Sequence, residues 1–168
     1  MKLAVIYDSV TGNTKQAAEW IVEGMKRTGA EAGAFSVDEA DEAALAGISG
    51  AVIGCPSYMA TMTPNLRGWL MKAGKLGLAG KLGGAFATEQ YTHGGGELVI
   101  QSILTNELCC GMLCYSGGGS QGRPVIHIGP IGVNGNVEAH NGMANYAETF
   151  RVFGERFARK AAELFAGE

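Results

Sequence analysis

Short apolar runs alternate along this chain with stretches whose apolar residues recur every three or four positions. Lys2 to Tyr7 is the first run, a buried strand by its composition. Lys15 to Arg27 then puts Ala17, Ile21 and Met25 on one line, with Ala18 and Val22 beside them, so the spacing predicts a helix closed by Gly29. Glu31 to Val37 reads as a weak second strand and Asp38 to Ala46 as one or two helical turns. Gly50 to Cys55 reads as a third strand. Thr63-Pro64 has the chemistry of a helix start, a hydroxyl N-cap followed by proline at the first helical position. Leu66, Trp69, Leu70 and Ala73 supply that helix's apolar face, and Gly74 stops it. Leu82 to Thr88 is a fourth strand. Gly94 to Leu108 opens with three glycines and continues as a helix through Leu98, Ile100, Ile103 and Leu104. Gly111 to Tyr115 is a fifth strand. A glycine-rich stretch, 116–142, carries a strand-like piece at Pro124 to Ile128. Met143 to Phe165 is a final helix with Tyr146, Phe150, Phe153, Phe157, Ala161 and Leu164 on one face.

Regular alternation of strand and helix predicts an α/β fold: a three-layer sandwich around a five-stranded parallel sheet. Five strands favour the order 2-1-3-4-5. In such a sheet a ligand sits beyond the carboxyl ends of the strands, where the chain direction of winding reverses between the first and third strands. The length of 168 residues suits one domain, 1–168, able to bury its own core. The loops after strands one, three and four therefore carry the expected chemistry.

Composition removes several function classes. With 13 basic and 16 acidic residues the net charge is −3, and no basic cluster exists to neutralise nucleic-acid phosphates. No apolar run approaches the roughly 20 residues of a membrane span. The opening MKLAVIYDS is a poor secretory signal, so the cytoplasm is the expected location. There Cys55, Cys109, Cys110 and Cys114, which form no CxxC pair, are expected as thiols that act as small buried hydrophobes, with no metal bound. The 27 glycines follow no fixed period. Their clustering at the ends of apolar runs points to many turns, some of them approaching a ligand.

The loop after strand one is Asp8-Ser9-Val10-Thr11-Gly12-Asn13-Thr14. A helix start offers unpaired N–H groups and the positive end of its dipole to an anion. Ser9, Thr11, Asn13 and Thr14 add neutral donors. The absence of a lysine in the loop excludes the Walker pattern and narrows the anion to a monophosphate. After strand three, Pro56, Ser57, Tyr58, Met59, Ala60, Thr61 and Met62 bring aromatic and thioether groups able to cover one face of a flat ring. After strand four, Thr88, Glu89, Gln90, Tyr91, Thr92, His93, Gly94, Gly95 and Gly96 offer backbone amides and a stacking tyrosine to the same ring.

These residues resemble the flavodoxin-like superfamily and, within it, the WrbA-type NAD(P)H:quinone oxidoreductase group. The matching pieces are Tyr7 through Thr14, Gly54-Cys55-Pro56-Ser57-Tyr58-Met59 with Met62, Gly94-Gly95-Gly96, and Gly111-Met112. The resemblance covers nearly the whole chain. It implies FMN as cofactor, with Ser9 to Thr14 on its phosphate, Pro56 to Met62 on one side of the flavin, and Thr88 to Gly96 on the other. It also implies electron transfer from NAD(P)H to a small quinone-like acceptor. The alternative is a flavodoxin-type carrier serving a redox protein partner. A flavin supplies the reactive atoms itself, so no catalytic side chain is assigned. An active site open at one sheet edge leaves room for a second subunit. The chain departs from the group in two places: a short Gly74-to-Gly80 segment before strand four, and Cys109-Cys110 where a histidine pair is usual.

Overall fold

The computed structural model describes residues 1–135 and 142–165, so part of the glycine-rich stretch noted above lies outside the described residues. The elements are β1 (Lys2–Tyr7), α1 (Asn13–Lys26), β2 (Glu31–Ser36), β3 (Ile48–Pro56), α2 (Pro64–Ala73), β4 (Leu82–Glu89), α3 (Gly96–Cys109), β5 (Leu113–Cys114), β6 (Ile131–Val133) and α4 (Ala147–Phe165). A 3₁₀ turn at Met143–Tyr146 precedes α4. The sheet is parallel, with order β2-β1-β3-β4-β5, and β6 also pairs with β4.

Alternation along the strands builds two cores. Leu3, Val5 and Tyr7 of β1 face α1 and α4, while Ala4 and Ile6 face α2 and α3. On the first side Phe86, Phe150, Phe153 and Phe157 are fully buried, with Phe86 edge-on to Phe150 at 6.1 Å between ring centroids. Strand glycines make room for these rings. A Cβ on Gly54 would lie 2.3 Å from the Phe86 ring, and Cβ atoms on Gly50 and Gly84 would crowd Phe157. Many of the glycines therefore serve packing inside strands rather than ligand loops. The helix pair α1 and α4 meets just as closely: a Cβ on Gly154 would sit 2.1 Å from the Ile21 carbonyl oxygen, and one on Gly24 1.9 Å from that of Arg151. Arg151 also pairs with Glu23 at 2.6 Å and lies over the Trp20 ring.

The fifth position of the sheet departs from expectation. The predicted strand Gly111 to Tyr115 shrinks to Leu113–Cys114, which pairs only with Leu82 and Gly83. Gly117 and Gly118 turn the chain out of the sheet at positive φ. The expected strand-like piece at Pro124 to Ile128 is irregular; pairing resumes at Ile131–Val133, opposite Ala87 to Glu89. The excursion is fastened by Arg156, whose guanidinium donates to the carbonyls of Pro124 and Gln121, each at 3.0 Å, and of Arg123 at 3.3 Å. Asp38 to Ala46 forms turns rather than helix. Leu98 and Leu164, expected on apolar faces, are 55% and 50% exposed. Of the cysteines only Cys55 is buried; all four are free, but Cys109 and Cys114 are exposed. Among the described residues no helix is long and apolar enough to cross a membrane.

One buried charge stands out. Glu107 on α3 fills the space left by Gly83, is fully buried, and its Oε1 has no hydrogen-bond partner. Burial, only partly offset by the Cys114 thiol and a Gly84 backbone interaction, pushes its carboxyl from 4.5 up to about 8. The folded state thus keeps a proton that the unfolded chain releases above about pH 4.5. Stability from this group is fully present below that pH and is lost as pH rises toward 8, at up to about 1.4 kcal/mol per pH unit. Denaturant unfolding from pH 5 to 8 is expected to show this decline, and Glu107→Gln to flatten it. At the helix crossing, Gly154→Ala is expected to cost about 1–3 kcal/mol by forcing α1 and α4 apart, measured as a lower unfolding midpoint with unchanged m-value.

Candidate functional site

All loops at the carboxyl ends of β1, β3, β4 and β6 converge on one cleft of about 300 Å³. Gly12 caps α1 in the left-handed region, at φ 93°, which turns the loop sharply into the helix. Ser9 Oγ accepts from the N–H groups of Gly12 at 3.2 Å and Lys15 at 3.3 Å. The N–H groups of Asn13 and Thr14, in the first turn of α1, have no intrahelical acceptor. Asn13 Nδ2 donates to Thr11 Oγ1 at 3.2 Å. The result is a helix start ringed by hydroxyl and amide groups, with no lysine or arginine among the described residues that line the cleft.

The second loop is a tight turn. Tyr58 and Thr61 exchange backbone hydrogen bonds at 3.2 and 3.0 Å, with Met59 and Ala60 between them both in the left-handed region. Neither residue is glycine, so the turn holds strain on the order of 1 kcal/mol per residue. Ser57 anchors it: its N–H donates to the Thr88 carbonyl and its hydroxyl to the Gly94 carbonyl, each at 2.7 Å.

The third loop wraps Glu89. This carboxylate is 7% exposed, and its Oε2 accepts the Gly96 N–H at 2.9 Å, capping α3. Burial raises its pKa; the Gly96 N–H pulls it down by less, and the nearby Glu97 charge adds to the rise. Gly95 has φ 86°, and a Cβ there would lie 2.4 Å from the Ala60 Cβ, so the second and third loops touch at a point only glycine fits.

The structure brings together Val10, Thr11, Asn13, Thr14, Pro56, Ser57, Tyr58, Thr88, Glu89 and Gln90 as lining groups. Ser9 and Gly12 shape the first loop from behind. Met59, 96% exposed, projects from the tip of the second loop with Ala60 and Thr61. Met62 is buried against the α2 side of the core rather than in the cleft. Tyr91 is half exposed beyond the lining, and Gly94, Gly95 and Gly96 sit behind Glu89 at the start of α3. Asn134 lines the cleft and was not anticipated. It follows β6, its N–H donating to the Glu89 carbonyl at 2.9 Å. Placing the last strand at Ile131–Val133 rather than Pro124 to Ile128 would have put Asn134 at the carboxyl edge.

Comparison with known proteins agrees with this geometry. The flavodoxin family profile matches residues 5–87. A protein named flavodoxin from Clostridium saccharobutylicum is 36% identical over 166 residues, spanning 98% of this chain and all of that one. A protein named NAD(P)H dehydrogenase (quinone) from Cupriavidus metallidurans is 32% identical over 196 aligned positions, 98% of each chain. Among solved structures, a WrbA-like flavodoxin from Agrobacterium tumefaciens shares the fold with a TM-score of 0.74 at 22% identity, over 96% of this chain and 98% of that one. The chain belongs to the flavodoxin family, a family of FMN-binding flavoproteins. Because Gly95 meets two demands, positive φ and contact with Ala60, Gly95→Ala is expected to destabilise the protein by about 1–3 kcal/mol in denaturant unfolding. Gly68→Ala, where a Cβ meets nothing within 4 Å, serves as the control.

Proposed function

We propose that this member of the flavodoxin family is an FMN-dependent oxidoreductase that takes electrons from NAD(P)H and passes them to a small quinone-like acceptor. The observation that carries the reading is the neutrality of the cleft. Among the described residues Glu89 is the one charged side chain lining it, and its carboxylate is engaged with the Gly96 N–H. The surrounding rim exposes Val10, Tyr58 and Tyr91, with Met59 projecting beside them. A neutral, partly apolar opening suits a small flat acceptor. A carrier that finds its protein partner by long-range charge needs a strongly charged rim instead.

The residues present fit FMN. Ser9 to Thr14 would hold a phosphate monoester through neutral donors and the α1 dipole, which needs no cation. Tyr58 and Pro56 would flank the flavin from the second loop, and Thr88 to Gln90 with Asn134 would bound it from the other side. Bound there, FMN supplies hydride and single-electron transfer. The chain's own part is positional. The Thr14–Thr88 hydroxyl bond of 2.7 Å joins the phosphate loop to the third loop. Ser57 joins the second loop to the third, and the tight turn at Met59-Ala60 keeps the rim close without closing it.

A second reading, the electron carrier, draws on one observation. The relative named flavodoxin aligns over 166 residues, whereas the quinone dehydrogenase needs 196 aligned positions against 168 residues here. That relative therefore carries segments this chain lacks. Anaerobic NAD(P)H titration of the FMN-loaded protein, followed by steady-state turnover with a benzoquinone, separates the two. Rapid flavin bleaching and turnover by the protein alone are expected; reduction only through a separate reductase would replace the enzyme with the carrier. Thr11→Val and Asn13→Ala are each expected to weaken FMN binding roughly tenfold, read by flavin fluorescence quenching. Failure of the wild-type protein to bind FMN would remove both readings.

A further inference from the structure

Charges of opposite sign are sorted along the middle of the chain. From Thr28 to Leu66 the sequence carries Glu31, Asp38, Glu39, Asp41 and Glu42 and no lysine, arginine or histidine. From Ala43 to Thr88 it carries Arg67, Lys72, Lys75 and Lys81 and no acidic residue. The fold sets the two groups side by side. The turn after β2, which bears the acids from Asp38 to Glu42, packs against α2: the Trp69 indole N–H donates to the Ala40 carbonyl at 2.8 Å, and Ala40 and Leu45 share a core with Leu66, Trp69 and Leu70. All four acids of the turn are exposed, as are Arg67, Lys72 and Lys75 on and just after α2. Met71, 82% exposed, lies among these cations. Yet the two strips do not pair with each other. Among the described residues every ion pair belongs to the α1 and α4 side of the molecule. Glu39 and Asp41 bond within their own turn, to Ser36 and to the Ala44 N–H, and Lys2 nearby already donates to the Ala44 and Ala46 carbonyls. Glu97, exposed on α3, lies over β4, beyond α2 from the acidic turn.

We propose that this face joins two copies of the chain about a twofold axis running between the acidic turn and α2. Twofold symmetry lays each half of such a face on the other half of its counterpart, so a surface pairs with itself when its halves are complementary rather than alike. The acidic turn of one copy then meets Arg67, Lys72 and Lys75 of the other, and the same contact recurs across the axis. Charge complementarity is what selects a second copy over a foreign partner. A foreign surface would have to carry both strips in the matching order, whereas this chain carries them already. Met71 adds an unbranched apolar side chain that adapts to the surface facing it. A helix face and a turn held mainly by exposed charges are weaker than an obligate interface, so association is reversible and salt-sensitive. The contact uses none of the residues that line the flavin cleft, and its fate is separable from the proposed redox function.

Sedimentation equilibrium from about 1 to about 200 µM protein, at about 50 and about 500 mM salt, tests this. A monomer–dimer equilibrium is expected, its dissociation constant rising roughly tenfold between the two salt concentrations. Lys72→Glu with Lys75→Glu, and separately Asp38→Lys with Glu42→Lys, are each expected to weaken the dimer by roughly tenfold at low salt, because every reversal is felt twice across the axis. Far-UV circular dichroism is expected to stay unchanged. An equimolar mixture of the two variants is expected to recover association. There the unaltered turn of the first meets the unaltered α2 of the second, and the two reversed strips also meet with opposite sign. Lost folding would give no such rescue. Lys75→Gln, in the turn after α2, is a milder substitution expected to weaken the dimer a few-fold, and it carries the same test where a reversal disturbs folding. A protein monomeric at every concentration at low salt overturns the proposal. So does a dimer that salt leaves equally tight, a dimer indifferent to these substitutions, or a mixture of folded reversed variants that associates no better than either alone.

Discussion

Three of the four loops around the cleft depend on Thr88. Its hydroxyl shares a buried 2.7 Å hydrogen bond with Thr14 in the first turn of α1, and its carbonyl accepts the Ser57 N–H at the same distance. It also pairs with Gly132 of β6, which delivers Asn134 to the cleft. One residue at the end of β4 thus fixes the first loop, the tight turn of the second and the final strand relative to one another. In a parallel sheet the loops at one edge come from distant parts of the sequence, and each costs entropy to order. Buried hydrogen bonds at a common junction offset that cost where apolar burial, confined to the core beneath, cannot reach.

The same strand serves two ends of the molecule. Its carboxyl end, Ala87 to Glu89, pairs with β6 and faces the cleft; its amino end, Leu82 and Gly83, pairs with β5 and adjoins α3. Between them the neighbouring strand is replaced by an excursion. Gly129 passes so close that a Cβ would lie 2.3 Å from the Ala85 carbonyl oxygen. The Arg156 guanidinium, donating to successive carbonyls of this segment, does for its backbone what a sheet partner would otherwise do.

The strand order, most of the buried faces of the helices, Leu98 and Leu164 excepted, and most of the cleft lining were legible in the sequence, because each rests on local signals. The central runs Leu3–Ile6 of β1, Gly50–Cys55 of β3 and Leu82–Ala87 of β4 are apolar, as strands covered on both faces must be. Thr63-Pro64 starts α2 as its chemistry demands, with Thr63 Oγ1 accepting the Leu66 N–H at 3.3 Å. What failed was non-local. A two-residue β5 has no periodicity to detect, and the apolar content of Pro124 to Ile128 resembles a strand although it serves a loop held by a distant arginine. Met62 reads as a ring-covering residue next to Met59, yet they diverge because the turn at Met59-Ala60 sends one to solvent and the other to the core. The positive φ at two non-glycine residues left no mark in composition.

Two buried glutamates separate the ends of the molecule by their surroundings. Glu89 lies where the chain provides an N–H donor from the start of α3, so its carboxylate is held at an otherwise neutral cleft and fastens the third loop. Glu107 lies at the other end of the same helix, where no donor reaches Oε1 and burial favours the proton. Glu89 trades its desolvation for a helix cap; Glu107 avoids the cost by remaining neutral. One consequence is structural, a loop geometry set by charge–dipole attraction. The other is electrostatic, because an inward, protonated Glu107 adds no charge to the far end of α3, while Glu97 stays exposed in its first turn. The helix between them therefore carries the Glu89 cap and the exposed Glu97 at its cleft end and a buried, protonated carboxyl at the other.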